Sequence, residues 1–486
     1  MESTRNLSTS RVWDHFEEIC KIPRPSKSED QIIEYVLSFA RKNNLESKRD
    51  EVGNVIIHKP ASKGKENLKT VILQSHLDMV GEKEPDSGHD FERDPIIPVK
   101  DGQWIRATGT TLGADCGIGI AAQLVILEDK DLVHGALECL FTVDEESGMT
   151  GAKFLKSGFM KGKILLNLDS EDEGELFIGC AGGVDTIGTF KFNTERTENS
   201  SIGVKVLVGG LKGGHSGDEI HKSPGNSIKV LNRFLNHATR EFKIQLALFN
   251  GGNMRNAIPR DAFAVFCVPH ENFMELEKYF KEFSDSIRTE LRDYEPDLFL
   301  EFEKTDLPDA VIPADPQIKF LETLTCLPHG VISWSPSLEG LVETSTNLAS
   351  VKFPESDICI VTTSQRSSVE SGKKIISERV ARCLENGGAM VEYSDGYPGW
   401  TPNPESEILT ITRKAYKELF GENPVVRAIH AGLECGLILE KYEGLDMLSF
   451  GPTIKGAHTP TERIHIQSTE KFWKLLLEVL NRIPKE

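Results

Sequence analysis

Apolar positions along the chain follow two periods. Over residues 12–20 and 28–43 they recur every three to four positions, which predicts two amphipathic helices. Residues 54–58 and 70–74 are β-rich and predict strands; a helix is expected after Gly117 through IGIAAQLVILED, then strands at 137–143 and 164–168. The runs TVILQ and KILLNL are almost wholly apolar, as a strand must be when both faces of its sheet are covered. Alternating helix and strand over the first third predicts an α/β fold on a mostly parallel sheet with helices on both faces.

From about Val184 the pattern becomes α+β. Strands at 203–209 and 263–268 surround a helix at 226–238, and the charged amphipathic stretch 271–295 predicts a long helix. Strands at 341–353 and 358–364, a helix at 371–386 and a strand at 390–393 repeat the scheme, so an internal duplication is expected although the halves share no motif. Beyond the turn-rich YSDGYPGW, a helix at 405–420, a strand at 446–450 and a helix at 469–482 restore the α/β pattern.

Size and charge narrow the field. A chain of 486 residues implies two or three domains. Its 56 basic and 75 acidic residues give a net charge of −19 with no block of lysine or arginine, which argues against nucleic acid or an anionic membrane as partner. Nine cysteines without a CxxC pair point to a reducing compartment. The opening MESTRNLSTSRVWDHFEE has no apolar core and reads as a capped helix, and no run reaches the ~18 apolar residues of a membrane span. A soluble, cytoplasmic protein is expected.

Five potential metal ligands stand in short motifs at the ends of strand-like runs: His76 in VILQSHLD, Asp115 in TLGADCGIG, Glu146 in LFTVDEESG, Asp169 in ILLNLDSED and His458 in GPTIKGAHTPTE. Two imidazoles and three carboxylates suit zinc, and five groups are the number for two ions sharing one carboxylate. Ligands of open α/β sheets bind beyond the carboxyl ends of strands, where His76, Glu146 and Asp169 would meet. Taken singly, each has a plainer use: a solvated acid, a strand-exit residue or, for Asp115, a helix N-cap. Asp78 lies two residues beyond His76 and can orient its imidazole. In DEES, adjacent carboxylates repel and call for a cation; if the run is extended, Glu145 and Glu146 point apart, so one can bind metal while the other serves as general base. With His458 in the last third, the tail must return to the domain of His76. The expected organisation is a discontinuous catalytic domain, 1–183 and 396–486, with an inserted α+β lid, 184–395.

These motifs, with GGHSGDEI, GGNMRNAIPR and HAGLECG, resemble those of the di-zinc exopeptidases, the family of carboxypeptidase G, peptidase V and the carnosinases, over nearly the whole chain. The resemblance implies that Asp115 bridges two divalent ions, most simply Zn²⁺, with Co²⁺ or Mn²⁺ as alternatives. It gives His76 and Asp169 to one ion, Glu146 and His458 to the other. It makes Glu145 the general base, acting on a water bound by zinc, and Asp78 the orienting group. It also implies a cis Asp115–Cys116 peptide, although acids or amides often stand at the place of Cys116 in the wider family. His215 would stabilise the oxyanion, Arg366 and Asn256 would hold the substrate carboxylate, and Glu434 its ammonium. Simpler uses are a histidine in a glycine turn, a surface ion pair for Arg366 and a helix-terminal acid for Glu434. The implied activity is hydrolysis of unblocked dipeptides, including Xaa-His such as β-alanyl-histidine, by a monomer or homodimer. Alternatives are an N-acyl amino acid deacylase, a tripeptidase, or a non-catalytic peptide-binding relative.

Overall fold

The computed structural model describes residues 9–486 and divides into two compact units. The first runs to Gly179 and resumes over Pro402–Ala428 and Leu433–Glu486; the second comprises Cys180–Thr401 with Ile429–Gly432. The start of the opening segment read as a capped helix, residues 1–8, lies outside the described residues. The helix expected over 12–20 is Ser10–Cys20, and Thr9 at its start makes no side-chain capping bond.

The first unit is built on an eight-stranded sheet in the order Glu46–Arg49, Val55–Lys59, Leu137–Thr142, Val71–His76, Ile164–Asn167, Asp446–Ser449, Glu175–Cys180, Val425–Ile429. From Leu137–Thr142 to Asp446–Ser449 the pairs are parallel; Glu46–Arg49, Val55–Lys59 and Glu175–Cys180 join antiparallel. Every residue of Val71–His76, Leu137–Thr142 and Ile164–Asn167 is buried. Successive side chains face opposite sides, so both faces of the sheet are covered. Helix Ala114–Glu128 is apolar nearly all round and accordingly buried. A second sheet that no sequence run announces joins Val99–Asp101, Trp104–Arg106, Arg463–His465 and Ile454–Lys455. Its hairpin between Ile454–Lys455 and Arg463–His465 carries His458 and Glu462.

The second unit is a nine-stranded antiparallel sheet with four helices on a shared apolar core that includes Phe234, Phe266, Phe280 and Phe320. Apart from the extra strand Gly330–Trp334, which pairs with Val342–Glu355, its halves have the same topology. Strand Ser201–Gly209, helix Ser227–Phe242, strands Gln245–Gly251 and Ala262–Pro269, helix Phe273–Leu291 and strand Phe299–Thr305 form one β-α-β-β-α-β unit. Strand Gly182–Lys191, helix Ala314–Cys326, strands Val342–Glu355 and Ile358–Ser367, helix Glu370–Gly387 and strand Met390–Tyr393 form the other, into which the first is inserted. Helix Ala314–Cys326 escapes a sequence reading because of Pro316, which sits in the first turn where no amide donor is needed. The long helix expected over 271–295 is shorter, Phe273–Leu291, since a 3₁₀ turn occupies His270–Asn272. Among the described residues, no helix is long and apolar enough to cross a membrane, and the nine cysteines are free.

Candidate metal centre

His76 closes strand Val71–His76, and its cross-strand partner Thr142 closes Leu137–Thr142. Two residues later the backbone turns at Asp144, held at φ 52° by its carboxylate accepting from the hydroxyls of Ser147 and Thr150. That turn starts the short helix Glu145–Gly148, so DEES is not extended as expected. Asp169 follows strand Ile164–Asn167. All three motifs therefore leave the sheet at the carboxyl ends of its parallel strands.

Asp115 reaches the same place from helix Ala114–Glu128, and the Asp115–Cys116 peptide is cis. The simple N-cap reading of Asp115 does not hold, because its two oxygens face His76 and His458; its backbone is held by a residue the sequence did not single out. The buried carboxylate of Glu462 accepts the N–H groups of Leu112 and Gly113 on one oxygen (2.7 and 2.9 Å) and of Ala114 and Asp115 on the other (2.8 and 3.3 Å). This grip holds the backbone that leads into the kink at Asp115 and Cys116, whose φ/ψ are not helical, so the regular helix begins after them. Arg24, also buried, donates to the carbonyls of Leu77 and Asp78 (2.9 and 2.6 Å) and of Gly113 (2.5 Å), which ties the His76 and Asp115 loops together. A Cβ at Gly113, in the left-handed region at φ 69°, would lie 2.7 Å from that guanidinium. Neither Arg24 nor Glu462 carries a local signal, since their partners are 53 to 350 residues away.

The five proposed ligands converge. Asp115 Oδ1 is 3.2 Å from His76 Nε2, and its Oδ2 is 3.2 Å from His458 Nε2. His76 Nε2 is also 3.1 Å from Asp169 Oδ1, and His458 Nε2 is 2.9 Å from Glu146 Oε2. Asp169 Oδ1 lies outside hydrogen-bonding direction despite that distance, and it and Glu146 Oε1 are buried without a hydrogen-bond partner. Asp78 stands behind His76: Nδ1 is 3.1 Å from its carbonyl and 3.4 Å from Oδ1, while its two oxygens accept the N–H groups of Glu145 and Glu146 (3.0 and 3.2 Å). One carboxylate thus sets the imidazole and the start of the acidic helix.

Charge states follow from this crowding. Burial drives the Glu145 carboxyl well above the ordinary carboxylate range, opposed by His76 and reinforced by Asp169, Glu434 and Glu146. Burial likewise raises Asp169 to about 6. For Asp115 burial is outweighed by hydrogen bonds from His458 and His76, and its pKa falls. Asp78 is lowered to about 2, with the His76 contact overcoming burial. His458 rises to about 11 through its bonds to Asp115 and Glu146. More acid is gathered here than two histidines can neutralise, and two carboxylate oxygens have no donor. Divalent cations fit such a donor set.

The remaining candidates divide between the units. Glu434, in the first unit, begins helix Glu434–Lys441 but makes no side-chain cap. Its Oε2 accepts from Gln74 Nε2 and Thr142 Oγ1, each at 2.7 Å; Oε1 is buried without a partner, and burial raises its pKa to about 8. In the second unit, His215 follows Gly213 and Gly214, with Nδ1 3.1 Å from Asp218 Oδ2. Arg366 is buried and donates to the Tyr397 hydroxyl at 2.9 Å, so it is no surface ion pair. Asn256 is exposed, and its carbonyl accepts the N–H of Ser216 (2.8 Å); among the described residues no hydrogen bond joins it to Arg366.

Residues 72–482 match peptidase family M20/M25/M40. The chain belongs to that family. Within it, the chain is 42% identical to the cytosol non-specific dipeptidase of Escherichia coli over 487 aligned residues, covering 100% of both chains. The structure of the aminoacylhistidine dipeptidase of Vibrio alginolyticus superposes with a TM-score of 0.92 at 42% identity, covering 100% of this chain and 99% of that one. A tripeptidase of Staphylococcus aureus, 16% identical over 98% of this chain and 99% of its own, shares the fold with a TM-score of 0.57.

Proposed function

We propose that this M20 chain is a two-metal dipeptidase acting on unblocked dipeptides, Xaa-His among them, in the cytosol. The observation that carries the reading is Asp115, whose two oxygens face two different histidines, each beside a further carboxylate. His76 and Asp169 would hold one divalent ion, Glu146 and His458 the other, and Asp115 would be shared. Zinc suits these donors, and two ions so held supply charge that activates water and polarises a carbonyl. Full-length similarity to two dipeptidases supports the substrate class.

The chain's own groups divide the remaining work. Glu145 lies half-buried beside the ligands in a setting that raises its proton affinity, as suits a base that takes a proton from water and passes it to the leaving amine. Asp78 fixes the His76 imidazole, leaving Nε2 for the metal. Glu434 Oε1, buried and unpaired, is assigned to the substrate ammonium. Arg366 is assigned to the substrate carboxylate, with Asn256 contributing, and His215 to the developing oxyanion. Catalysis is assigned to the first unit, which contains all five ligands, and the lid role to the second.

Turnover on β-alanyl-histidine, other dipeptides, their N-acetylated forms and tripeptides tests the reading. Free dipeptides should be preferred at least ~100-fold, because a blocked end leaves a buried charge unpaired. Equal kcat/KM for a dipeptide and its N-acetyl form would instead establish a deacylase, and preference for tripeptides a tripeptidase.

A further inference from the structure

The second unit contains a tyrosine built into its structure with unusual constraint. The Tyr397 ring lies where side chains at two glycines would stand: a Cβ on Gly183 would be 2.7 Å from the ring and its hydroxyl, and one on Gly432 would be 2.8 Å from the ring edge. Lys373 Nζ donates to the Tyr397 carbonyl (2.7 Å), and the Tyr397 amide donates to the Gly183 carbonyl (2.8 Å). Gly432 belongs to the four residues, Ile429–Gly432, by which a distant part of the chain joins this unit. The phenol is held as a fixed group.

What it is held against is Arg366. Nη1 of Arg366 donates to the Tyr397 hydroxyl at 2.9 Å. The oxygen thus serves as acceptor, and its own hydrogen remains available for donation. Burial raises the phenol's pKa against the opposing effect of Arg366, so the proton stays on. Arg366 is only 7% exposed, and its Nε–H is buried without a partner. Nearby, His430 bonds Ser345 Oγ at 2.7 Å, and burial, then Arg366, lowers its pKa to about 3, so it adds no second positive charge. Asp218 is engaged by His215 at 3.1 Å. The buried guanidinium has further N–H donors beyond the one given to the phenol, and together with the neutral hydroxyl's free hydrogen it offers donors suited to a small anion with two oxygens.

We infer that Tyr397 is a specificity-determining residue, donating its hydroxyl hydrogen to the substrate's terminal carboxylate alongside Arg366. This rests on the assignment of Arg366 to that carboxylate.

The test uses the metal-loaded full-length enzyme, with a dipeptide and its C-terminal amide as substrates. Tyr397→Phe keeps the ring between the glycines and removes only the donor. It should raise KM for the dipeptide about tenfold with kcat within about twofold, as for loss of one hydrogen bond to a charged group. The amide should respond less than twofold, so the preference for a free carboxylate falls about tenfold. Arg366→Gln should abolish the preference, and the double variant should lose no more than Arg366→Gln alone. Equal losses on dipeptide and amide, or no loss, in Tyr397→Phe overturn the role of Tyr397. If Arg366→Gln still removes the preference in that case, the carboxylate site stands without Tyr397. An intact preference in Arg366→Gln removes both.

Discussion

Glu462 grips the backbone that presents Asp115: one buried carboxylate accepts four successive N–H groups, the last belonging to Asp115 itself. Because Glu462 is four residues past His458 on the same hairpin, one loop both contributes a candidate ligand and steadies the shared one. Glu462→Ala would leave these donors without their acceptor, at roughly 3 kcal/mol or more of stability. We expect a lower melting temperature and metal affinity weakened ~10- to 100-fold in a chelator competition, the size usual for supporting residues. Unchanged affinity would show that the loop keeps its shape unaided.

The two neighbouring acids should separate cleanly. Glu145→Gln should lose ~10²–10⁴ in kcat while retaining both ions, as expected when a general base is removed. Glu146→Gln should lose metal, because its Oε2 is 2.9 Å from His458 and its Oε1 is buried without a hydrogen-bond partner. Metal content and kcat measured on both variants decide the matter; the opposite pattern would exchange the two roles.

Metal removal gives an independent reading. Exhaustive treatment with a chelator should abolish turnover, and stoichiometric addition of zinc should restore it at two ions per chain by elemental analysis. Full activity with one ion per chain would leave only one of the two sets of ligands in use.

His430 predicts a pH effect on stability. It is buried, with Arg366, Asp218 and His215 as its charged neighbours and Ser345 as its hydrogen-bond partner, and its pKa is lowered to about 3. Unfolded, it would titrate near the ordinary value of ~6.5. Between those values the unfolded chain binds a proton that the folded chain refuses, so stability falls as pH drops from ~6.5 toward 3, by up to ~1.4 kcal/mol per pH unit, and is unaffected by this group above ~6.5. In urea titrations from pH 7 to 4, His430→Asn should flatten the slope relative to the parent chain. Parallel slopes would mean that His430 takes up its proton in the folded state too.

The local pattern was enough to identify much of this protein. TVILQ and KILLNL announced buried central strands whose ends carried His76 and Asp169, and Glu146 followed the strand expected at 137–143. Such features are legible because burial and strand exit are written within a few neighbouring residues. Pattern alone left Asp115 between bridging ligand and N-cap, and Glu434 between substrate partner and helix-terminal acid. Their surroundings are assembled from far along the chain: His76 and His458 face the two oxygens of Asp115, while Gln74 and Thr142 hold one oxygen of Glu434. Arg24, Glu462 and Tyr397 were missed for the same reason. Each is an ordinary residue in an ordinary loop until folding brings it to partners dozens or hundreds of positions away. Sequence determined which side chains were able to do chemistry, because residue type and local period are properties of short segments. Tertiary structure decided which oxygens and donors were left unpaired in the buried interior, because that depends on every group brought there by folding.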